Sequence, residues 1–239
     1  PSYKKISEED FAKRLSRADE IIKKCTSCPR NCLADRTNGE FGTCQSGDKP
    51  IVSSYTPHFG EEPVLSGTRG AGNIFFGNCN LRCDYCQNFV ISQNPKAEIR
   101  NEISNERLAD IMIELQNRNC HNIGLVSPTH FAVPILKSIK IAIDKGLNLP
   151  VIYNSNGYDS VEMLKLYKDI IDIYLPDFKY GNNEYGRRYS KVPDYFEKVK
   201  LAIKEMYDQV GSELVYENGV VERGLIIRHL VLPNDLSES

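Results

Sequence analysis

Apolar residues recur three and four positions apart in several stretches of the chain, and this spacing predicts amphipathic helices. The first stretch covers residues 7–24, with Ser7 placed to cap its N-terminus. Others lie behind Ser104, a second N-cap candidate, from about Val133, and over residues 194–209. Short apolar runs of strand length separate these predicted helices.

Repeated strand and helix units predict an α/β fold with a parallel sheet and right-handed crossovers. Asn218-Gly219, between two apolar runs, predicts a β-hairpin turn near the end of the chain. The predicted parallel strands cover residues 73–77, 123–127, 150–154, 170–175 and 225–232.

Residues 45–71 break this pattern because they are rich in proline and glycine. We therefore predict an N-terminal extension over residues 1–70, made of a helix, a cysteine knuckle and loops, ahead of a core domain over residues 71–239. Short extended pieces such as Ile51-Val52 are expected to cross the outside of the core. The pair Glu61-Glu62 could supply ligands or bases, but surface residues with no visible partner are the preferred interpretation.

Polar residues follow the predicted strands. Ligands bind beyond the carboxyl ends of the strands in parallel sheets, so these residues are expected to form one site. They are Cys79–Cys86, Ser127–His130, Asn154–Asn156, Asp177, Lys179 and Arg228.

A structural interpretation stays open for several of these residues. Asp177 and Lys179 also fit a surface pair that contributes little to stability. Asn154 and Asn156 fit a turn. His130 fits a buried core histidine with satisfied hydrogen bonds.

Cys79, Cys83 and Cys86 are spaced C-x3-C-x2-C directly after the apolar run at residues 74–76. Three thiolates leave one iron of a four-iron cluster open for another ligand. A structural zinc ion would need a fourth protein ligand, and this loop contains no histidine. The spacing therefore favours an iron–sulfur cluster over a zinc knuckle.

A second set of cysteines has the spacing C-x2-C-x3-C-x11-C, which is enough to close a coordination sphere. Four-thiolate zinc and a fully ligated iron–sulfur cluster fit equally well. The eighth cysteine, Cys120, stands alone and is assigned no role. The four predicted ligands are Cys25, Cys28, Cys32 and Cys44.

Composition narrows the function classes. The chain has 239 residues, 26% of them charged, and a net charge of −2, so no general affinity for polyanions is implied. It contains no apolar run of membrane-spanning length and no signal-peptide pattern, so a cytoplasmic protein without a membrane partner is expected. Clustered cysteines in such a chain indicate metal binding rather than disulfides.

Residues 79–88 read Cys-Asn-Leu-Arg-Cys-Asp-Tyr-Cys-Gln-Asn, with an aromatic residue, Tyr85, before the third cysteine. This pattern resembles the cluster loop of the radical S-adenosylmethionine (SAM) superfamily, and within it the branch of pyruvate formate-lyase activating enzyme. The four-cysteine knuckle, Pro128-Thr129-His130 and residues 175–180 further resemble a group of activating-enzyme relatives that carry an N-terminal four-cysteine motif.

The resemblance implies a partial parallel (β/α) barrel, usually of six strands. Only five parallel strands are predicted, and the chain stops seven residues after Leu232. We therefore expect this chain to lack the last strand and helix of the barrel.

The resemblance also implies a chemistry. A [4Fe-4S] cluster on Cys79, Cys83 and Cys86 would bind SAM at its open iron and cleave it reductively to methionine and a 5′-deoxyadenosyl radical. That radical would abstract hydrogen from a substrate, which in activating enzymes is a glycine of a partner protein. The implied electron donor is a flavodoxin or a ferredoxin. The protein would orient these groups and exclude water.

Individual roles follow from matching positions. Tyr85 would lie beside the adenine of SAM. Thr129 and His130 fall where relatives carry a Gly-Gly-Glu segment that holds the SAM amino group. The expected substitute is the Thr129 hydroxyl, His130 or a backbone carbonyl of this segment. Asn154 and Asn156 stand in Asn-Ser-Asn-Gly, which resembles the Asp-Thr-Asn-Gly of activating enzymes.

The remaining implied contacts come from the end of the predicted strand at residues 170–175 and from the last predicted strand. Asp177-Phe178-Lys179 resembles the Asp-Leu-Lys of activating enzymes. Lys179 would pair with the SAM carboxylate, because a cation beside an anion forms a strong hydrogen bond. Arg228 is expected to act in the same way.

Two other function classes remain open. One is an iron–sulfur electron carrier without SAM chemistry, which would need no open iron. The other is a zinc-stabilised module that binds or modifies nucleic acid, although the near-neutral charge argues against strong backbone binding. SAM cleavage and metal content would distinguish the three classes.

Overall fold

The computed structural model describes residues 1–232, so residues 233–239 of the predicted core domain lie outside the described part. Its helices are α1 (Glu8–Lys23), α2 (Pro63–Ser66), α3 (Phe89–Ser92), α4 (Pro95–Glu98), α5 (Asn105–Asn117), α6 (Ala132–Asp144), α7 (Val161–Leu166), α8 (Asn183–Ser190) and α9 (Tyr195–Val210). Its strands are β1 (Val52–His58), β2 (Ala71–Phe76), β3 (Ile123–Val126), β4 (Val151–Ser155), β5 (Ile173–Phe178), β6 (Val215–Glu217), β7 (Val220–Leu225) and β8 (Arg228–His229).

The strands form a sheet in the order β1-β2-β3-β4-β5-β7-β6, and β8 also pairs with β5. Strands β2 to β5 are parallel neighbours, and β7 lies parallel to β5. Antiparallel strands lie at both edges, β1 against β2 and β6 against β7. The predicted α/β class with a mostly parallel sheet is confirmed. Closure of the sheet into a barrel stays a prediction.

The two faces of the parallel sheet differ in chemistry because successive side chains point to opposite faces. One face places a row of paired residues in the main core, namely Ile74, Leu125, Tyr153 and Tyr174. Helices α1, α5, α6 and α9 bury apolar residues in the same core. The other face carries Asn73 and Asn154 together with a smaller buried apolar cluster that includes Ile152, Ile173 and Leu175.

Several local predictions are confirmed. Ser7 caps α1 by accepting from the backbone N–H of Asp10 (3.2 Å). Ser104 caps α5 in the same way. Asn218 and Gly219 both have positive φ, at 51° and 83°, as a two-residue hairpin turn between β6 and β7 requires. No helix among residues 1–232 has the length and apolar character needed to cross a lipid bilayer.

The predicted last strand, residues 225–232, is wrong in its bounds. The structure ends β7 at Leu225 and forms only the two-residue β8 further on. Both strands pair with β5, on either side of Pro176. Proline has no N–H to donate to a neighbouring strand, so the ladder is interrupted at that point.

The strand predicted at residues 170–175 begins and ends later than expected. Ile170 and Ile171 donate their backbone N–H groups to Tyr167 O (2.8 and 3.1 Å), so they continue the turn after α7. Strand β5 extends to Phe178 instead. Asp177 therefore lies within a strand rather than after one.

The segment predicted as loops, residues 45–71, contains the seven-residue strand β1. Its polar residues, including Ser53, Ser54 and Thr56, give no apolar run, because an edge strand is only half covered by its neighbours. β1 pairs with β2 from His58 opposite Ala71 onward. This pairing places the following residues, Glu61 among them, beside the face of the sheet that carries Asn73 and Asn154.

Candidate functional site

The cluster loop, residues 77–88, leaves the carboxyl end of β2 along a path fixed by surrounding elements. Asn78 adopts a left-handed backbone conformation (φ 62°), and its Nδ2 donates to Gln45 O (3.0 Å). Leu81 is buried in a small apolar cluster that includes Tyr158. The three predicted cluster cysteines are therefore presented by a loop that the rest of the protein holds in place.

The first cysteine of the loop contacts Asn156, the residue that directly follows strand β4. Cys79 Sγ accepts from the backbone N–H of Leu81 (3.4 Å) and from Asn156 Nδ2 (3.5 Å). Asn156 Nδ2 also donates to Asn80 Oδ1 (2.7 Å). Burial raises the pKa of Cys79 to about 11. The structure thus brings the predicted residue Asn156 into contact with the loop, 77 residues away along the chain.

The other two thiols contact hydroxyl groups. Cys83 Sγ lies 2.9 Å from Ser190 Oγ, and Cys86 Sγ lies 3.1 Å from Ser92 Oγ. Burial raises the pKa of Cys83, while the positive charge of Lys179 acts in the opposite direction. Lys179 is therefore close enough to the loop to favour thiolate there.

The predicted residues Asn154, Asp177, Lys179 and Arg228 form one hydrogen-bonded group, which we call the Asn154–Arg228 group. Lys179 Nζ donates to Asp177 Oδ2 (2.6 Å), and Arg228 Nε donates to Asp177 Oδ1 (3.0 Å). Arg228 Nη2 donates to Asn154 Oδ1 (2.6 Å). Two cations thus share one carboxylate, and the Lys179 side chain is only 12% exposed.

Glu61 completes this group, although its sequence context indicated a surface residue. Its Oε2 accepts from Asn73 Nδ2 (3.1 Å) and Asn154 Nδ2 (3.0 Å), and its Oε1 lies 3.3 Å from Arg228 Nη1. Burial and the Glu61 carboxylate raise the pKa of the adjacent Glu62. No local sequence pattern signals Glu61, because its partners come from distant strands.

Tyr85 lies against the wall of the same region. Its hydroxyl lies 2.6 Å from the hydroxyl of Tyr180, and the two rings meet edge to face. Tyr180 in turn contacts Ser190 Oγ (2.7 Å), the group that contacts Cys83. Burial raises the pKa of Tyr85, so it stays a neutral phenol.

Thr129 and His130 have hydrogen-bond partners away from the Asn154–Arg228 group. Thr129 Oγ1 donates to Asp159 Oδ1 (2.6 Å). His130 Nε2 lies 2.8 Å from Gly77 O, and the ring is buried. The structure therefore does not bring these two predicted residues into contact with the other predicted SAM contacts.

The four N-terminal cysteines line one small cavity, which we call the four-cysteine cavity. Arg30, Arg36, Asn80 and His130 line it as well. Arg30 Nε donates to Asn80 O (2.5 Å), so the cavity adjoins the cluster loop. Within residues 1–232, no three His, Cys, Asp or Glu side chains stand at the distances of a single shared metal ion. A metal would therefore draw the sulfurs inward as the thiols lose their protons.

Comparisons with known proteins agree with this arrangement. Residues 73–221 match the radical SAM superfamily. The chain is 36% identical over 240 residues to the uncharacterized protein MJ0674 of Methanocaldococcus jannaschii, covering 93% of this chain and 61% of that protein. It is 28% identical over 206 residues to the uncharacterized protein MJ0808 of the same organism, covering 79% of this chain and 59% of that protein.

The chain thus spans about three fifths of the length of the curated relatives it matches. The superfamily match covers β2, the cluster loop and the parallel strands as far as β7. A [4Fe-4S] cluster and SAM are the cofactors of this superfamily, and its members are enzymes. The chain belongs to the radical SAM superfamily.

Proposed function

We propose that this chain is a SAM-cleaving enzyme of the activating-enzyme type. Cys79, Cys83 and Cys86 would hold a [4Fe-4S] cluster and leave one iron open for SAM. When bound, the cluster supplies the electron that cleaves SAM to methionine and a 5′-deoxyadenosyl radical. The donor set fits this role, since N–H and hydroxyl groups already contact each of the three sulfurs.

The observation that carries the proposal is the contact of Asn156 with Cys79. It brings the end of β4 against the cluster loop. Asn154, two residues earlier, lies in β4 and belongs to the Asn154–Arg228 group, and Lys179 acts electrostatically on Cys83. A bound SAM would therefore find sulfur ligands and fixed cations within one region.

The charged group would bind and orient the methionine part of SAM. Lys179 and Arg228 would pair with its carboxylate, because charge-assisted hydrogen bonds are stronger than neutral ones. Asp177 holds both cations in position. Asn154 and Asn156 offer amide donors and acceptors beside them. We assign no SAM contact to the side chains of Thr129 and His130, which bond within the protein.

Aromatic residues would contact the adenosine part and exclude water. Tyr85 lies partly buried against the apolar cluster of Leu81, Tyr158 and Tyr180. Apolar side chains beside the reacting carbon exclude water and so protect a radical from side reactions. Tyr85 is therefore our proposed adenine neighbour.

We propose a glycine of a partner protein as the substrate, and a flavodoxin or ferredoxin as the electron donor. Phe89 and Val90 directly follow the cluster loop and are 62% and 58% exposed. Exposed apolar side chains next to a site suit contact with another protein. The free cysteines of residues 1–232 suit a reducing compartment, so we place the enzyme in the cytoplasm.

We also propose a second metal centre, an iron–sulfur cluster or zinc, on Cys25, Cys28, Cys32 and Cys44. All four line one cavity. Burial first, and then the other three cysteines, raise the pKa of Cys28 to about 12, because neighbouring thiolates repel one another. A bound cation would offset that repulsion. This centre is separate from the loop that would bind SAM.

The test is an anaerobic assay of 5′-deoxyadenosine after reconstitution with iron and sulfide, reduction and addition of SAM. We expect product from the unaltered protein and none from C83A, because one iron of the cluster loses its ligand. C120A is the matched control. Cys120 is buried, lies far from both sets of cysteines along the chain and has no proposed role.

Undiminished product from C83A would overturn the proposal. Iron–sulfur absorbance without product from the unaltered protein would favour the electron-carrier alternative. A partner glycine would be tested separately, by electron paramagnetic resonance of a glycyl radical in candidate proteins mixed with the enzyme and SAM.

A further inference from the structure

Three hydroxyl groups lead in a row to the thiol of Cys83. Ser190 Oγ lies 2.9 Å from Cys83 Sγ, and Tyr180 Oη lies 2.7 Å from Ser190 Oγ. Tyr85 Oη lies 2.6 Å from Tyr180 Oη. We call the side chains of Tyr85, Tyr180 and Ser190 the hydroxyl chain. It starts and ends at the cluster loop, because Tyr85 follows Cys83 by two residues.

The end of α8 is held opposite Cys83 by backbone hydrogen bonds. The N–H of Arg82 donates to Ser190 O (3.2 Å), and the N–H of Asp84 donates to Tyr189 O (2.9 Å). These two bonds flank Cys83 on both sides, and Ser190 is the last residue of α8. The backbone therefore keeps the Ser190 hydroxyl beside the sulfur.

The inner part of the hydroxyl chain is shielded from solvent. Ser190 and Tyr180 are both 0% exposed, and Tyr180 packs in the apolar cluster that contains Leu81. Burial raises the pKa of Tyr180, so the phenol keeps its proton. In a setting of low dielectric constant, hydrogen bonds are strong and polarise one another along a chain. A change at one hydroxyl therefore affects the next.

A ligating sulfur determines the direction of every bond in the hydroxyl chain. A thiolate only accepts, so Ser190 must donate its single O–H to Cys83 Sγ. The Ser190 oxygen then accepts from Tyr180, and the Tyr180 oxygen accepts from Tyr85. A protonated Cys83 would allow the reverse direction too, because a thiol can donate.

We propose that Tyr85, Tyr180 and Ser190 donate in series to Cys83 and so raise the reduction potential of the cluster that Cys83 would bind. The inference rests on the proposed function, because it needs a cluster on the cluster loop. Each thiolate of a [4Fe-4S] cluster binds its own iron, so the cysteines need not share one ion. Hydrogen bonds to ligating sulfurs raise the potential, because they stabilise the more negative, reduced state. Ser190 and Tyr180 act through Cys83 and are positioning residues.

Cys86 offers a comparison within the same loop. Ser92 Oγ lies 3.1 Å from Cys86 Sγ, and Ser92 is buried. Within residues 1–232, the structure gives the Ser92 hydroxyl no second hydroxyl as a partner. Cys86 thus receives a single hydroxyl donor, whereas Cys83 receives a donor that two phenols polarise. The same serine-to-alanine change at the two positions therefore compares a lone donor with a chain.

Reduction potentials of the reconstituted protein test the proposal, measured by potentiometric titration followed by electron paramagnetic resonance. S190A removes the donor to Cys83 and should lower the potential by about 59 mV, which corresponds to about a tenfold change for a one-electron couple. Y180F keeps the ring but leaves the Ser190 oxygen without its donor, so its shift should be smaller and in the same direction. Y85F should give the smallest shift. S92A should lower the potential less than S190A.

Double variants separate a chain from independent effects. Without the Ser190 hydroxyl, Tyr180 has no link to the sulfur, so Y180F should add nothing to S190A. In the S92A background, Y180F should keep its full shift. Y189F is the matched control, because Tyr189 packs against Tyr180 with ring centroids 6.5 Å apart but its hydroxyl lies outside the hydroxyl chain. Its potential should equal that of the unaltered protein.

Iron and sulfide contents establish that each variant is loaded before titration. Unchanged potentials in S190A and Y180F, or a full Y180F shift on top of S190A, would overturn the hydroxyl chain and leave the proposed enzyme standing. If S190A holds no cluster, the two tyrosine variants decide by their order, and a larger shift in Y85F than in Y180F overturns the proposal. An unaltered protein that takes up no cluster would overturn both levels. SAM cleavage by the unaltered protein, assayed on the same preparation, reports on the proposed function independently.

Discussion

Asn156 Nδ2 donates both to Cys79 Sγ (3.5 Å) and to Asn80 Oδ1 (2.7 Å), and the Asn156 Oδ1 accepts from the backbone N–H of Tyr158 (3.0 Å). One side chain thus supports the turn after β4 and contacts the sulfur of a proposed cluster ligand. An N–H donor to a ligating sulfur stabilises its negative charge and raises the reduction potential of a cluster.

We therefore expect N156A to lower the reduction potential of the reconstituted cluster and to slow 5′-deoxyadenosine formation by about tenfold to a hundredfold. The lost hydrogen bond to a charged group contributes about 1.5–3 kcal/mol. N156D should act more strongly, because a carboxylate then faces a thiolate. Potentiometric titration followed by electron paramagnetic resonance gives the potential. N117A, at the exposed end of α5, is the control. An unchanged potential in both variants at position 156 would contradict the role.

Arg228 donates hydrogen bonds to Asp177 and Asn154 and forms an ion pair with Glu61. If it binds the carboxylate of SAM, R228Q should raise the KM for SAM by about tenfold to a hundredfold, since a charge-assisted hydrogen bond contributes about 1.5–3 kcal/mol. The kcat at saturating SAM should change much less, because the contact is the same in the ground and transition states.

Steady-state kinetics of SAM cleavage separate these two constants. R118A is the control, since Arg118 stacks over Tyr55 at the end of α5. An R228Q variant with unchanged KM and lowered kcat would place Arg228 outside the SAM-binding group.

Glu61 is a positioning residue, since it contacts Arg228 and the amides of Asn73 and Asn154. E61Q keeps one carbonyl oxygen, which can still accept from both asparagines, but it replaces the oxygen that faces Arg228 with an NH2 group and removes the negative charge. We expect a higher KM for SAM, in the same direction as R228Q, and partial rescue in E61D.

Expressed as free energies, the increase in the KM for SAM in the double variant E61Q/R228Q should be smaller than the sum of the two single effects. The effects of residues in contact are not additive. E9Q is the control, since Glu9 is 80% exposed and pairs with Lys13 on the same helix. Full additivity would show that Glu61 acts independently of Arg228.

The sequence predicts what depends on neighbours along the chain. The spacing of Cys79, Cys83 and Cys86, the caps of α1 and α5 and the Asn218-Gly219 turn are local, and their interpretation needs no tertiary contact. The α/β class follows from alternating strands and helices, and it too is confirmed. Asn154, Asp177 and Arg228 could be pooled because parallel strands end at one edge of a sheet.

The sequence does not predict what depends on side-chain partners far away. Glu61 is separated from Asn154 by 93 residues and from Arg228 by 167. Thr129 and His130 follow β3 as expected, but Asp159 and Gly77 determine where their side chains lie. The bounds of the last strand depend on Pro176 in the neighbouring strand, which no pattern within residues 225–232 reveals.

Gly157 lies directly after Asn156 and packs against β5. Its φ is +78°, and a Cβ there would overlap Asp177 O and a methyl group of Val199. G157A should therefore push β5 and the Asp177–Lys179 pair out of place. Gly146, at the end of α6, also has a positive φ (+92°), but nothing lies within 4 Å of a Cβ added there.

The two alanine variants separate backbone strain from displacement of the site. G146A should lower the free energy of unfolding by about 1–2 kcal/mol, through the left-handed backbone alone, and leave SAM cleavage unchanged. In G157A, overpacking should lower the free energy of unfolding by about 1–3 kcal/mol more than in G146A. SAM cleavage should also be impaired, because Lys179 and Asp177 move relative to Cys79. Urea unfolding and the 5′-deoxyadenosine assay measure the two effects. Equal losses of stability in both variants, with activity intact, would mean that β5 and the cluster loop are not coupled through the turn after β4.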